Sequence, residues 1–141
     1  MKQVSVFIEN RAGSLRRLAK ILMQNNINIL SFSLADTSNY GLMRLLVDEP
    51  ERAVQVLNLV DLSTSIADVY GIHMQNKVGE LHRLFEALKD VQIEYLYPAS
   101  TVEDRALVVC RIAEEDEAKA DQALKDAGFS FDGPNGVYEA D

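Results

Sequence analysis

The stretch Glu9-Asn10-Arg11-Ala12-Gly13-Ser14-Leu15 holds the residue types from which a seat for an anion can be built. A glycine where a strand meets a helix lets the backbone turn where a Cβ would clash. It also leaves the first helical N–H groups open to a visitor. The stretch returns as Gln75-Asn76-Lys77-Val78-Gly79-Glu80-Leu81, so Asn10 and Asn76 stand 66 residues apart (76 − 10). A single copy is explained well enough as a tight strand-to-helix turn. Two copies in register, each with the same pattern on both sides, are an internal repeat. The repeat establishes an architecture and leaves the question of a ligand open.

Other chemistry is sparse. His73 and His82 have no spacing that makes a metal site; by the repeat they replace Phe7 in a strand and Arg16 on a helix, and they read as packing or surface residues. Each turn contains one glycine, which is too few for a phosphate-cradling loop. The acidic groups Asp48-Glu49 and Glu114-Glu115-Asp116-Glu117 fall at helix starts, where they complement the helix dipole. Cys110 lies in the apolar run Leu107–Ile112 and reads as a small core residue. No catalytic residue, metal ligand or cofactor site is assigned, and an enzyme is the least favoured class.

The elements that position the turns follow from periodicity. Gln3–Glu9 alternates, with Val4, Val6 and Ile8 on one face. Leu15, Leu18, Ala19 and Leu22 recur as Leu81, Leu84, Phe85 and Leu88, the stripe of an amphipathic helix. The first helix is expected from Ser14, as N-cap, to Asn25-Asn26, since asparagine tolerates the left-handed conformation at a helix end. Strands are expected over Ile27–Asp36 and Leu42–Val47, joined through Ser38-Asn39 and Gly41. A helix opening at Pro50 runs to about Val60, and a strand near Ser63–Val69 closes the module. The second module repeats the order: strand Tyr70–Gln75, helix Glu80–Asp90, strands Ile93–Thr101 and Ala106–Ile112, and an acidic helix from Glu115 to Ala127 stopped by Gly128. A closing strand holds Phe129 and Phe131, and Asp132–Gly136 reads as a mobile turn. The fold class is therefore α+β, with two tandem ferredoxin-like βαββαβ modules, residues 1–69 and 70–141, built on antiparallel sheets.

Composition narrows the class further. The 141 residues are 48% hydrophobic, and modules of about 70 residues bury only a modest core. Leu30, Phe32 and Leu34 alternate along one strand, with Phe7 and Leu42 on its neighbours; apolar groups on both sheet faces point to at least a homodimer. A net charge of −8 with no basic run argues against nucleic acid. No apolar stretch reaches membrane-spanning length, and the chain enters a strand without a signal peptide. One cysteine excludes an internal disulfide and suits the cytoplasm.

The two turns resemble those of ACT domains, the small regulatory modules of amino-acid metabolism. That family's pattern is a strand, Asn/Asp-x-Pro-Gly-x-Leu, a helix, then an Asn-Ile pair opening the second strand. Glu9–Leu15 matches the first part and Asn28-Ile29 the second. The second module keeps Asn76, Gly79 and Leu81 but, at the same offset, has Glu94 in place of Asn28. The usual proline is Ala12 in one copy and Val78 in the other. The resemblance covers nearly the whole chain up to Gly133.

The resemblance implies that modules pair through edge strands and that a free amino acid binds at such an interface, against the strand–helix turn. Its carboxylate would meet free N–H groups at the positive helix end. The implied ligand-binding residues are Asn10, Arg11, Ala12, Gly13 and Asn28 in one copy, and Asn76, Lys77, Val78, Gly79 and Glu94 in the other. Asn28 would hold the ligand's other polar groups, whereas Glu94 would repel its carboxylate or attract its ammonium. The implied function is a small regulatory protein that binds an amino acid and signals to an enzyme or regulator of amino-acid metabolism. The alternative is an ACT-type regulatory subunit that acts by protein contact alone.

Overall fold

The computed structural model describes residues 1–36 and 39–141, so Ser38 of the expected turn lies outside the described residues. The chain divides into two compact units, Lys2–Ala67 and Asp68–Asp141, the second of which also takes in Met1. Met1 belongs there because its carbonyl accepts the N–H of Val69 at 2.8 Å.

The first unit runs β1 (Lys2–Glu9), α1 (Ser14–Gln24), β2 (Ile29–Asp36), β3 (Tyr40–Val47), α2 (Pro50–Asn58) and β4 (Ser63–Asp68). Its strands form one sheet in the order β2-β3-β1-β4. Alternation along β1 puts Val4, Val6 and Ile8 opposite Leu45, Met43 and Gly41 of β3, and residues directly opposite share a face. Leu18 and Leu22 of α1, with Ala53 and Leu57 of α2, close the core over that face. Burying each such leucine contributes about 1.5–3 kcal/mol. Phe32 and Leu34 lie opposite Leu45 and Met43, on the helix-covered face, yet Phe32 is 63% exposed. They sit on β2, the sheet's edge.

Helix ends follow their residues, with one correction. The N-cap of α1 is Gly13, at φ 91°, and Ser14 is already the first helical residue, making no capping bond. At the other end Asn26 takes the left-handed conformation at φ 56°, and the Asn25 side chain donates to the carbonyl of Ile21 at 2.8 Å. Pro50 opens α2 as expected.

The second unit runs β5 (Tyr70–Gln75), α3 (Glu80–Ala87), β6 (Ile93–Val102), β7 (Arg105–Ile112), a short 3-10 turn at Glu114–Asp116, α4 (Glu117–Asp126), β8 (Phe131–Gly133) and β9 (Gly136–Tyr138). Its sheet has five strands in the order β6-β7-β5-β8-β9. Tyr70, Ile72, Leu84, Leu88, Cys110 and Leu124 are among its core residues. Two expectations change here. Phe129 is not in the closing strand; it is buried before it, its N–H donating to the carbonyl of Leu124 at 3.0 Å. Residues 132–136 are the bend of a hairpin in which Gly133 pairs with Gly136 and Phe131 with Tyr138. Both units are thus ferredoxin-like modules built as βαββαβ, the second extended by one edge strand.

Candidate functional site

In the first module β1 ends at Glu9, and the chain turns through Arg11, whose N–H donates to the carbonyl of Glu9 at 2.9 Å. Gly13 at φ 91° then swings the backbone into α1, a conformation that costs an L-residue roughly 1–2 kcal/mol. A Cβ there would meet no atom within 4 Å, so the need for glycine is conformational rather than steric. No side chain caps the helix; the Ser14 N–H donates to the carbonyl of Arg11 at 3.3 Å, and the next helical N–H groups have no intrahelical acceptor. The Asn10 side chain donates to Asp36 Oδ1 at 2.9 Å, tying the turn to the end of β2. Arg11 pairs with Glu9 at 2.9 Å, and both are exposed, so the pair contributes little to stability. Ala12 is exposed beside them.

The second turn copies the first. Gly79 stands at φ 87°, and the side chain of Asn76 donates to the carbonyl of Glu103 at 3.1 Å. Lys77 and Val78 project into solvent. One residue differs in kind: Glu80, in the position of Ser14, is only 3% exposed. Its carboxylate folds back on the turn, accepting the N–H of Gln75 at 2.9 Å and Nε of Arg83 at 2.6 Å. The Arg83 guanidinium holds the Glu80 carboxyl below the ordinary carboxylate range, against the opposing effect of burial. Arg83 also donates to the carbonyl of Ala127 at 2.6 Å and lies 3.8 Å over the Phe129 ring.

Within one module Asn28 does not reach the turn. It precedes β2, whose far end, Asp36, is the residue tied to Asn10. At about 3.3 Å per residue the strand separates them by roughly 25 Å. Asn28 instead exchanges hydrogen bonds with Asp48: its N–H donates to Oδ1 at 3.0 Å, and its carbonyl accepts the Asp48 N–H at 3.2 Å.

Glu94 is not the counterpart of Asn28. Ile29 and Ile93 each open their strand, each just before a bulge, opposite Val47 and Ile112. The equivalent spacing there is 64 residues (93 − 29), two fewer than at the turns. The difference arises between them: α3 has 8 residues against the 11 of α1, and the connection that follows it is one residue longer, 88–92 against 25–28. Asn28 therefore corresponds to Gln92, whose N–H donates to Asp116 Oδ2 at 2.8 Å and whose carbonyl accepts from Ala113 at 3.0 Å. Glu94 lies two residues further along, 3.9 Å from Arg111. An amide thus opens the second strand in both modules, and the expected asymmetry through Glu94 falls away.

Two cavities flank the first turn. One of about 170 Å³ lies on the β2 side, among Ile8, Asn10, Leu15, Leu34, Asp36 and Gly41. The other, about 610 Å³, lies on the opposite side, between the turn and residues 60–63 that lead into β4. Arg17 lines it and donates to the carbonyl of Val60 at 3.2 Å. Reasoning from the sequence passed over Arg17, although Arg83 repeats it at the 66-residue offset (83 − 17) and was the available signal. Asp36 and Gln92 carried no signal in the sequence, and Asp48 was legible only as a helix-start acid; their roles arise from contacts distant in sequence.

The remaining chemistry-bearing residues do not converge. His73 and His82 are exposed, and among the described residues no three metal-ligating side chains cluster. Burial pushes the Cys110 thiol up to about 12. No described helix is long and apolar enough to cross a membrane.

The chain matches the family model described as an ACT domain pair over residues 1–79. Among solved structures, a protein from Bacteroides thetaiotaomicron is similar at 31% identity and a TM-score of 0.83, over 92% of this chain and 90% of that one. The ligand-free regulatory subunit of aspartate kinase from Thermus thermophilus shares the fold at 18% identity and a TM-score of 0.64, over 89% of this chain and 91% of that one. A regulatory domain described as that of aspartate kinase from Porphyromonas gingivalis does so at 16% identity and a TM-score of 0.54, over 89% and 91%. Comparison with curated proteins gives no match. With a family model spanning more than half its length, on two ferredoxin-like modules that each open their first helix from a left-handed glycine, the chain belongs to the ACT domain pair family.

Proposed function

We propose that this protein is a small regulator that binds a free amino acid at its strand–helix turns and signals to an enzyme or regulator of amino-acid metabolism, with no catalytic step of its own. The observation that carries this function is the uncapped start of α1 behind Gly13, flanked by two cavities and by Arg11 and Arg17. The N–H groups and the positive helix end suit a carboxylate. Asn10, Arg11, Ala12 and Gly13 form the first candidate site, and Asn76, Lys77, Val78 and Gly79 the second. The module boundary is placed between residues 69 and 70, and the compartment is the cytoplasm. The Thermus thermophilus protein of like fold is a regulatory subunit of aspartate kinase, which supports an enzyme as the recipient of the signal.

Asn28 lies too far along β2 to serve the turn of its own module, so its place is in a site completed by a second copy of the chain. The exposed Leu30, Phe32 and Leu34 on edge strand β2 support such a homodimer. The same apolar edge favours the second function, a subunit that regulates by contact and binds no ligand. A thermal-shift screen of the twenty amino acids separates them, since a ligand bound only by the folded state raises the melting temperature. A rise with one or a few amino acids supports the sensor; no rise with any leaves the contact function.

A further inference from the structure

The two modules differ at one point in a way that suggests what the first one lacks. In the second, Arg83 projects from the first turn of α3 and is met by the Glu80 carboxylate, at 2.6 Å through Nε and 3.2 Å through Nη2. The same carboxylate accepts the N–H of Gln75, the last residue of β5. Arginine, carboxylate and strand-end N–H thus form a closed set, with the carboxylate almost wholly buried.

In the first module the arginine and the strand end remain and the carboxylate does not. Arg17 stands where Arg83 does, Glu9 where Gln75 does, and Ser14 where Glu80 does. Arg17 bonds to the carbonyl of Val60, and among the described residues it forms no ion pair. Beside it, where a carboxylate would sit, is the cavity of about 610 Å³ bordered by Glu9, Arg11, Gly13, Ser14 and Arg17. We propose that this cavity is a carboxylate seat in which an external ligand takes the place that Glu80 fills in the second module.

The proposal deepens the amino-acid function by naming the side of the turn on which the carboxylate sits and the side chain that holds it. A guanidinium suits a carboxylate because its parallel N–H groups match the two oxygens. The cavity also holds acids, Glu9 and Asp61, within its lining. Two arginines and two acids favour a neutral zwitterion, whose ammonium the acids attract, over a dicarboxylate, which they repel. A cavity of about 500 Å³ borders Gln75, Glu80 and Arg83 in the second module as well; there Glu80 already holds the guanidinium, so a ligand carboxylate would have to displace it.

The test uses the full chain, with acetate as the simplest carboxylate and glycine as the simplest zwitterion. In a ¹H–¹⁵N titration of the wild type, the amides of Gly13 and Ser14 and the Arg17 Nε–H should shift with either probe, and those of Gly79 and Arg83 should not. Arg17→Gln should weaken binding by roughly tenfold or more, as expected on loss of a charge-assisted pair. Ser14→Glu should abolish it, because the chain then supplies the carboxylate itself. Glu80→Ser should create the reverse response, a second module stabilised by acetate and not by chloride at equal ionic strength. Unchanged acetate binding by Ser14→Glu would overturn the proposal, as would probe shifts at Gly79 and Arg83 in the wild type. Should Glu80→Ser fail to fold, Arg17→Gln and Ser14→Glu, both outside the core, decide between the outcomes. The wider function fails separately: if an amino acid still raises the melting temperature of Ser14→Glu as in the wild type, amino-acid sensing stands and this seat does not. If acetate binds at Arg17 while no amino acid stabilises the wild type, the seat stands and amino-acid sensing does not.

Discussion

Asn28 and Gln92 carry the same hydrogen bonds in the two modules. Each donates its N–H to the carboxylate of an acid preceding or opening the module's second helix, Asp48 at 3.0 Å and Asp116 at 2.8 Å. Each carbonyl in turn accepts a backbone N–H from the end of the neighbouring strand, that of Asp48 or Ala113. This pair of bonds pins the start of the second strand to the end of the third, and it fixes which residues are equivalent.

Removing that clasp should cost both modules alike. Asp48→Ala and Asp116→Ala should each lower stability by about 1 kcal/mol, the usual net worth of one hydrogen bond. The aspartate-to-asparagine changes should cost less, because an amide oxygen still accepts the N–H. Urea denaturation of the four variants measures both effects.

Gly13→Ala and Gly79→Ala should each destabilise by about 1–2 kcal/mol through backbone strain alone, since a Cβ at either site meets no neighbour. Asparagine should be tolerated better, as Asn26 already adopts the left-handed conformation at φ 56°. A bulky Gly13→Val should also abolish amino-acid binding while the fold persists, and Asn28→Ala should weaken it. Chemical denaturation and calorimetry check the two effects on the same samples.

The Glu80–Arg83 pair predicts a pH response. Because Arg83 depresses the folded-state pKa of Glu80, the carboxylate favours folding wherever it is ionised in both states. That contribution is fully present above the ordinary value of 4.5 and is lost as pH falls below it through the depressed one. Wild type should therefore lose stability relative to Glu80→Gln as pH is lowered through this window. Melting temperatures of the two proteins, taken in parallel from pH 6 to pH 2.5, check the sign.

The apolar edge of the first module predicts self-association. Phe32→Asp should convert the expected dimer to monomer at micromolar concentration. One buried phenylalanine per copy is worth about 1.5–3 kcal/mol, more than tenfold in the dissociation constant. Sedimentation velocity reads the outcome directly; a wild type that sediments as a monomer would remove the basis for a site completed by a second copy.

Local signals determined much of this protein by themselves. The alternation of Val4, Val6 and Ile8, the leucine stripe of α1, Pro50 at the start of α2 and Gly128 after α4 each act through bonds or neighbours a few residues away, so the sequence alone placed the elements. The 66-residue repeat likewise announced two modules and the two turns, because glycine reaches the positive φ of Gly13 and Gly79 without the strain a Cβ brings, a preference that is local to the residue. What only the tertiary structure decided involves partners far apart in the chain. The shorter α3, with a connection one residue longer after it, shifts the register by two residues, and only the pairing of Ile29 with Val47 and Ile93 with Ile112 shows that Gln92, not Glu94, answers to Asn28. The separation of Asn28 from Asn10 comes from the rise of β2 between them, and the hairpin after Phe131 from its pairing with β5. The contrast between Ser14 and Glu80 is visible in the sequence as a change of one letter. Its meaning comes from the fold, which buries one carboxylate between Arg83 and Gln75 and leaves Arg17, beside its cavity, bonded to the carbonyl of Val60.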